Sequence, residues 1–159
     1  MQKITPFLWF DNNAEEAMSF YTSVFKSAKV KNANYYPEGF PGVMGGKLMT
    51  GTFELEGQEF MVLNGGPMFK FTEAISFFVK CATQEEVDYY WNALTADGGA
   101  ESQCGWLKDK YGLSWQIIPD ALGQLLGDAD REKANRAMQA MMQMKKIEVN
   151  KLQDAFDGK

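Results

Sequence analysis

The chain repeats itself, and the repeat limits what it can fold into more than any other feature. Asn13-Ala14-Glu15-Glu16, followed by Phe20-Tyr21, returns 70 residues later as Thr83-Gln84-Glu85-Glu86, followed by Tyr90-Trp91. Self-similarity at that spacing marks a duplicated supersecondary unit. Each copy reads as a helix start. Asn13 and Thr83 are N-cap residues with a Glu three positions on that can reach back to the cap amide, and early carboxylates suit the positive end of the helix dipole. Behind the caps, Ala14, Ala17, Met18, Tyr21, Val24 and Phe25 in one helix, and Val87, Tyr90, Trp91 and Leu94 in the other, recur at three-and-four spacing. Each helix therefore has one face to bury.

A strand-like run precedes each helix, Ile4 to Phe10 before the first and Ala74 to Cys81 before the second, both rich in aromatic and branched residues. The two halves also end alike: Gly57-Gln58-Glu59-Phe60-Met61-Val62-Leu63 matches Gly112-Leu113-Ser114-Trp115-Gln116-Ile117-Ile118. There the offset has dropped from 70 to 55, so the first half carries an insertion, and the Gly/Pro-rich stretch Tyr36 to Gly42 reads as a loop within it. Val30 to Tyr36, Lys47 to Leu55 and Ala100 to Trp106 are strand-sized remainders. The expectation is an α+β fold of two βαβββ modules, about residues 1–66 and 70–119, with mostly antiparallel sheets and a helical tail at 120–159, together forming one domain. In the tail, Ala134, Ala137, Met138, Met141 and Met142 predict a helix within 130–146, and Leu152, Ala155 and Phe156 a shorter one.

Alternation along the second run places Ser76, Phe78 and Lys80 on one side and Ile75, Phe77, Val79 and Cys81 on the other. The second set is apolar or thiol and belongs under the helix. Ser76 and Phe78 then face away from it, with Lys80 at the rim, and Thr5, Phe7 and Trp9 share the equivalent face of the first run.

Composition excludes several chemistries. The chain has 159 residues and no histidine, so imidazole bases, Ser-His-Asp and Cys-His nucleophile systems and zinc sites with His ligands cannot be built within it. Cys81 and Cys104 are its two cysteines. They form neither a disulfide framework nor a metal cluster, which predicts a reducing compartment. The net charge is −5, with the acidic surplus ahead of residue 128. Without a basic stripe for phosphates, nucleic-acid binding is not expected. No apolar run reaches the roughly 18 residues of a membrane span, and the start of the chain lacks a basic region followed by an apolar one. A cytoplasmic protein that does not enter membranes is the expectation.

The stretches Ile4-Thr5-Pro6-Phe7-Leu8-Trp9-Phe10, Ala17 to Phe25, Phe53 to Gly66 and above all Gln103 to Pro119 resemble the PhnB-like branch of the vicinal oxygen chelate, or glyoxalase/bleomycin-resistance, superfamily. Members of that branch are sometimes labelled 3-demethylubiquinone-9 3-methyltransferase. The resemblance covers about residues 1–120 and part of the tail. It implies paired modules whose curled sheets form a cavity, often in a homodimer. Metal-dependent members place His or Glu ligands on the first and last strands of the modules; carried over, those places hold Thr5, Ser76, Met61 and Gln116. Thr50 stands where many PhnB-like chains have a His. Asp109-x-x-Gly112-x-x-x-Gln116 parallels the superfamily's Asp-x-x-Gly-x-x-x-Glu, with a neutral amide replacing the ligand carboxylate. Two hydroxyls, a thioether and an amide supply neither anionic charge nor imidazole for a divalent transition metal.

The function expected is binding of a small organic molecule without metal or other cofactor, by a homodimer, with Thr5, Trp9, Thr50, Met61, Ser76, Phe78, Trp106 and Gln116 as cavity walls. A small-molecule enzyme using Cys104 or a carboxylate such as Glu54 is the alternative. Against a nucleophilic Cys104 stands the bland role of a small buried strand residue, its activation depending on Lys108 or Lys110. Methyl transfer has no support, because Gly45-Gly46, Gly65-Gly66 and Gly98-Gly99 lack the G-x-G-x-x-G spacing. Glu15-Glu16 and Glu85-Glu86 are explained by their place in a first helical turn. Lys108-Asp109-Lys110 reads as a solvated turn, and the Met138, Met141, Met142 stripe either packs within the chain or joins two copies.

Overall fold

A computed structural model of the chain describes residues 2–42 and 44–159; Met1, which opens the N-terminal reading above, and Val43 lie outside them. The chain divides into two compact units, one ending at Phe71 and one running from Thr72 to Lys159. The first contains β1 (Phe7–Phe10), α1 (Ala14–Val24), β2 (Ala28–Tyr35), β3 (Leu48–Leu55) and β4 (Gln58–Asn64). The second contains β5 (Ser76–Cys81), α2 (Gln84–Thr95), a 3-10 turn at Ala96–Gly98, β6 (Ala100–Glu101), β7 (Trp106–Lys108) and β8 (Ser114–Pro119). Its tail follows as α3 (Asp120–Leu126), α4 (Arg131–Met142) and α5 (Val149–Asp157).

Both sheets have one topology, β1-β4-β3-β2 and β5-β8-β7-β6. The first and last strands of each module pair in parallel, β1 with β4 and β5 with β8, and the remaining pairs are antiparallel. The duplication legible in sequence is thus a duplication of topology.

Each helix covers one face of its own sheet with the residues that its periodicity selects. Ala14, Ala17, Met18, Tyr21 and Val24 of α1 are buried. The Tyr21 ring stacks on Phe53 of β3 at 6.0 Å, and Phe53 on Phe60 of β4 at 5.3 Å, contacts worth about 0.5–1.5 kcal/mol each beyond the area they bury. Val87, Tyr90, Trp91 and Leu94 of α2 are buried likewise. Buried Leu107, Trp115 and Ile117 form the helix-facing side of the second sheet.

Several boundaries differ from expectation. β1 starts at Phe7 rather than Ile4; Pro6 has no N–H for a ladder, although its carbonyl accepts from the Met61 N–H at 2.9 Å. β5 starts at Ser76, which leaves Ile75 outside the strand and 68% exposed rather than under the helix. The single strand expected over 100–106 is two short ones. Cys104 and Gly105 separate them, both at positive φ, 58° and 84°, where the chain turns back and a strand cannot continue. α3 was not anticipated from periodicity, its seven residues being too short to display one.

Asn13 makes no side-chain cap bond. The Ala14 N–H donates instead to Oδ1 of Asn64 (2.9 Å), whose amide nitrogen donates to the Leu48 carbonyl (2.9 Å). Buried Asn64 therefore ties the start of α1 to β4 and β3. Thr83 caps α2 as predicted, accepting from the Glu86 N–H at 3.2 Å, while the Glu86 carboxylate takes the N–H of Ala82, one residue ahead of the cap amide expected.

Candidate functional site

Four of the eight residues proposed as ligand walls lie in the second unit, on neighbouring strands and on the sheet face away from α2. Gln116 of β8 has Phe78 of β5 as its direct cross-strand partner on one side and Trp106 of β7 on the other. Gln116 therefore lies between the Phe78 and Trp106 positions in the sheet. Its Nε2 donates to Oγ of Ser76 at 2.8 Å. Phe78 is 54% exposed, a large apolar ring at the surface. The helix-facing alternates, Phe77 and Trp115, pack on each other at 5.6 Å.

The other four lie in the first unit and meet less directly. Met61 of β4 pairs with Phe7 and Thr52, while Trp9 and Thr50 both pair with Leu63, two residues further along. Leu63 thus stands between Trp9 and Thr50, as Gln116 stands between Phe78 and Trp106; it was missed in the sequence, where its period-two relation to Met61 was the signal. Thr5 precedes β1, and its hydroxyl lies 3.5 Å from the Gln2 amide.

Trp9 is already partnered within its unit. Its Nε1 donates to the Gly66 carbonyl at 2.9 Å, and Phe69 meets its ring edge-on at 5.0 Å. Gly65 packs so closely on the indole that an added Cβ would fall 2.3 Å from a ring carbon, so this approach requires glycine. The segment after β4 thereby covers one side of Trp9.

Other singled-out residues resolve by their contacts. Asp109 is not solvated: it is 2% exposed. It accepts from the N–H groups of Tyr111 (2.9 Å) and Leu113 (3.1 Å) and from the Trp115 indole (2.9 Å). The aspartate of the Asp-x-x-Gly-x-x-x-Gln stretch therefore folds the β7–β8 turn. Cys104 sits half-buried in a turn rather than in a strand. Cys81 is fully buried under α2, and burial, reinforced by the Glu86 and Asp120 charges, pushes its thiol up to about 12. Glu54 forms ion pairs with Lys29 (3.6 Å) and Lys31 (3.7 Å), and Lys31 also bonds Glu59 at 2.7 Å. Glu15 accepts from the Tyr35 hydroxyl at 2.7 Å, a bond that raises the phenol above its ordinary value. Of the methionine stripe, Met141 packs on the tail cluster while Met138 and Met142 are exposed.

Comparisons with known proteins agree with this architecture. The family model described as 3-demethylubiquinone-9 3-methyltransferase matches residues 2–118. The PhnB protein of Bacillus cereus is similar at 42% identity over 74% of this chain and 99% of its own, with a TM-score of 0.68. Protein PA1353 from Pseudomonas aeruginosa shares the fold at 20% identity, over 75% of this chain and 98% of its own, with a TM-score of 0.60. No curated protein matches the chain.

Proposed function

We propose, from the premise that this chain belongs to the PhnB-like family described as 3-demethylubiquinone-9 3-methyltransferase, within the vicinal oxygen chelate superfamily, that it binds a small organic molecule and does so without a metal ion. The observation that carries this reading is the Gln116–Ser76 pair. On the sheet face away from the helix, Gln116 has Phe78 and Trp106 as its cross-strand partners, and its neutral amide donates to the Ser76 hydroxyl at 2.8 Å. Two rings supply area for stacking, and two uncharged polar groups supply orientation, the composition of a small-molecule site.

The donor set does not fit a divalent transition metal. The Gln116 amide donates to the Ser76 hydroxyl, and a thioether and a second hydroxyl, Met61 and Thr5, fill the other ligand places that the resemblance implies. None carries charge or an imidazole, the features that hold such ions. Among the described residues, no three His, Cys, Asp or Glu side chains converge on one point.

A melting-temperature screen of the full chain tests the reading. An organic ligand at a hundredfold its Kd stabilises by about 2.7 kcal/mol, several degrees for a chain of this size. The expected result is at least one such organic ligand, a response lost in Gln116→Ala, and no shift with zinc, nickel or manganese ions. A comparable rise with any of those metals overturns the metal-free claim.

The binding unit is proposed to be a homodimer to which the tail contributes. Met138 and Met142, 42% and 58% exposed on α4, are adaptable apolar groups of the kind enriched at interfaces. Light scattering at micromolar concentration should give a dimer; a monomer unchanged by deleting residues after Pro119 contradicts it.

A further inference from the structure

One buried side-chain polar atom in the described residues has no hydrogen-bond partner: the hydroxyl oxygen of Ser114. The residue is 1% exposed, and a buried hydroxyl without a hydrogen bond carries its full desolvation penalty. Its place in the sheet shows what lies around it. Ser114 belongs to the central strand β8, with Lys108 of β7 directly opposite on one side and Ser76 of β5 on the other. Lys108 reaches Glu73, in the segment leading into β5, at 2.5 Å. The ion pair therefore runs from β7 to the approach of β5 across the strand that carries Ser114. Beside it, Glu73, Ser102, Trp106, Lys108 and Ser114 line a hollow of about 250 Å³, room for a molecule of one ring. A larger hollow of about 580 Å³ along the tail, lined by Gln143, Lys145 and Lys151, contains no unpartnered buried group.

The two ends of the ion pair differ in freedom. Lys108 is anchored in a strand and its side chain is 40% exposed; Glu73 lies in a turn outside any strand and its side chain is 61% exposed. An exposed pair of this kind contributes little to stability, so Glu73 can swing away and free the ammonium of Lys108, the residue directly opposite Ser114. The remaining carboxylate in the lining, Glu101, is engaged by the Trp91 indole at 2.8 Å and approached by Lys145 at 3.9 Å.

We propose that this hollow takes a small ring-bearing carboxylate, whose anion replaces Glu73 on Lys108 and accepts from the Ser114 hydroxyl while its ring lies against Trp106. The proposal rests on the reading that this sheet face binds a small organic molecule, and it adds the ligand's charge and the group that waits for it. Charge-assisted bonds to Lys108 and the hydroxyl supply the selectivity for an anion, and the Ser114 hydroxyl is the donor that the ligand engages.

Benzoate and its neutral isostere benzamide, titrated into the full chain while the indole N–H resonance of Trp106 is followed, test it. That resonance is assigned by its loss in Trp106→Phe. Benzoate is expected to shift it saturably and to bind at least tenfold tighter than benzamide. Lys108→Met should remove that preference, Glu73→Gln should tighten benzoate severalfold by freeing the ammonium, and Ser114→Ala should weaken it severalfold. Ser114→Ala should also raise the melting temperature in the absence of ligand, since it deletes an unsatisfied group, which separates lost binding from lost folding. Equal affinity for the two compounds, or a benzoate preference that survives Lys108→Met, overturns the proposal while leaving small-molecule binding standing. No shift of Trp106 with either compound also overturns it. The broader reading fails separately, if the organic screen finds nothing that depends on Gln116.

Discussion

Asp109 shows how a residue with the sequence environment of a surface turn can be a structural centre. Lysines flank it on both sides, which favours a solvated reading, yet its carboxylate gathers two backbone N–H groups and the Trp115 indole. No pattern of spacing reveals that, because the partners converge only once β7 and β8 pair. Asp109→Ala leaves those donors without their acceptor in a buried turn and should cost about 2–4 kcal/mol, measurable by urea denaturation. The Ser76–Gln116 bond was half legible: alternation placed Ser76 on the face away from the helix, but only the parallel β5–β8 register brings the amide to it. The thiols divide in a testable way. Cys81 is buried with its thiol pushed up to about 12, so iodoacetamide at pH 8 should leave it unmodified in the native protein and label it after unfolding. Rapid native labelling of Cys81 contradicts its place under α2.

Among the elements, the two module helices were legible because their periodicity runs long enough to express a face, and the final strand of each module because the two halves match there, a turn glycine followed by an aromatic and an apolar run. The 100–108 segment was not, since strands of two and three residues carry no alternation and their turn depends on positive φ at Cys104 and Gly105. The tail's attachment was also invisible in sequence. The Cys104 and Gly105 N–H groups donate to the carbonyls of Met144 and Lys145, both at 2.8 Å. The Gln84 side chain of α2 donates to the Ile147 carbonyl at 3.0 Å and accepts from the Val149 N–H at 2.8 Å. Gln84→Ala removes both of these bonds to the tail, along with the one that Gln84 donates to Asp88, and should cost about 1–3 kcal/mol; a melting temperature equal to wild type contradicts this anchor. Nearby, Lys146 bonds Asp88 at 2.6 Å, and that bond, with one from Gln84, holds the Asp88 carboxyl below its ordinary 3.8. A carboxyl depressed in the folded state stabilises above its unfolded pKa, and that contribution is lost as pH falls through the folded one. The melting-temperature advantage over Asp88→Asn should therefore be present at pH 6 and fade below about pH 4.

For the molecule as a whole, the duplication is the organising fact. Two units repeat a strand order and a helix-covered face, while the residues on the opposite faces have diverged. In the first unit Leu63 stands between Trp9 and Thr50; in the second Gln116 stands between Phe78 and Trp106. The missing histidine has a proposed local counterpart: the resemblance would set metal ligands at Thr5, Met61, Ser76 and Gln116, none of which carries an imidazole. The proposed binding of an organic molecule without metal is tested most directly at Gln116 itself. Its side-chain amide resonances in the full chain, assigned by their loss in Gln116→Ala, should move on titration with an organic compound that raises the melting temperature and stay fixed on addition of zinc, nickel or manganese. Amide resonances that respond to one of those metals, or that ignore every stabilising organic compound, contradict it.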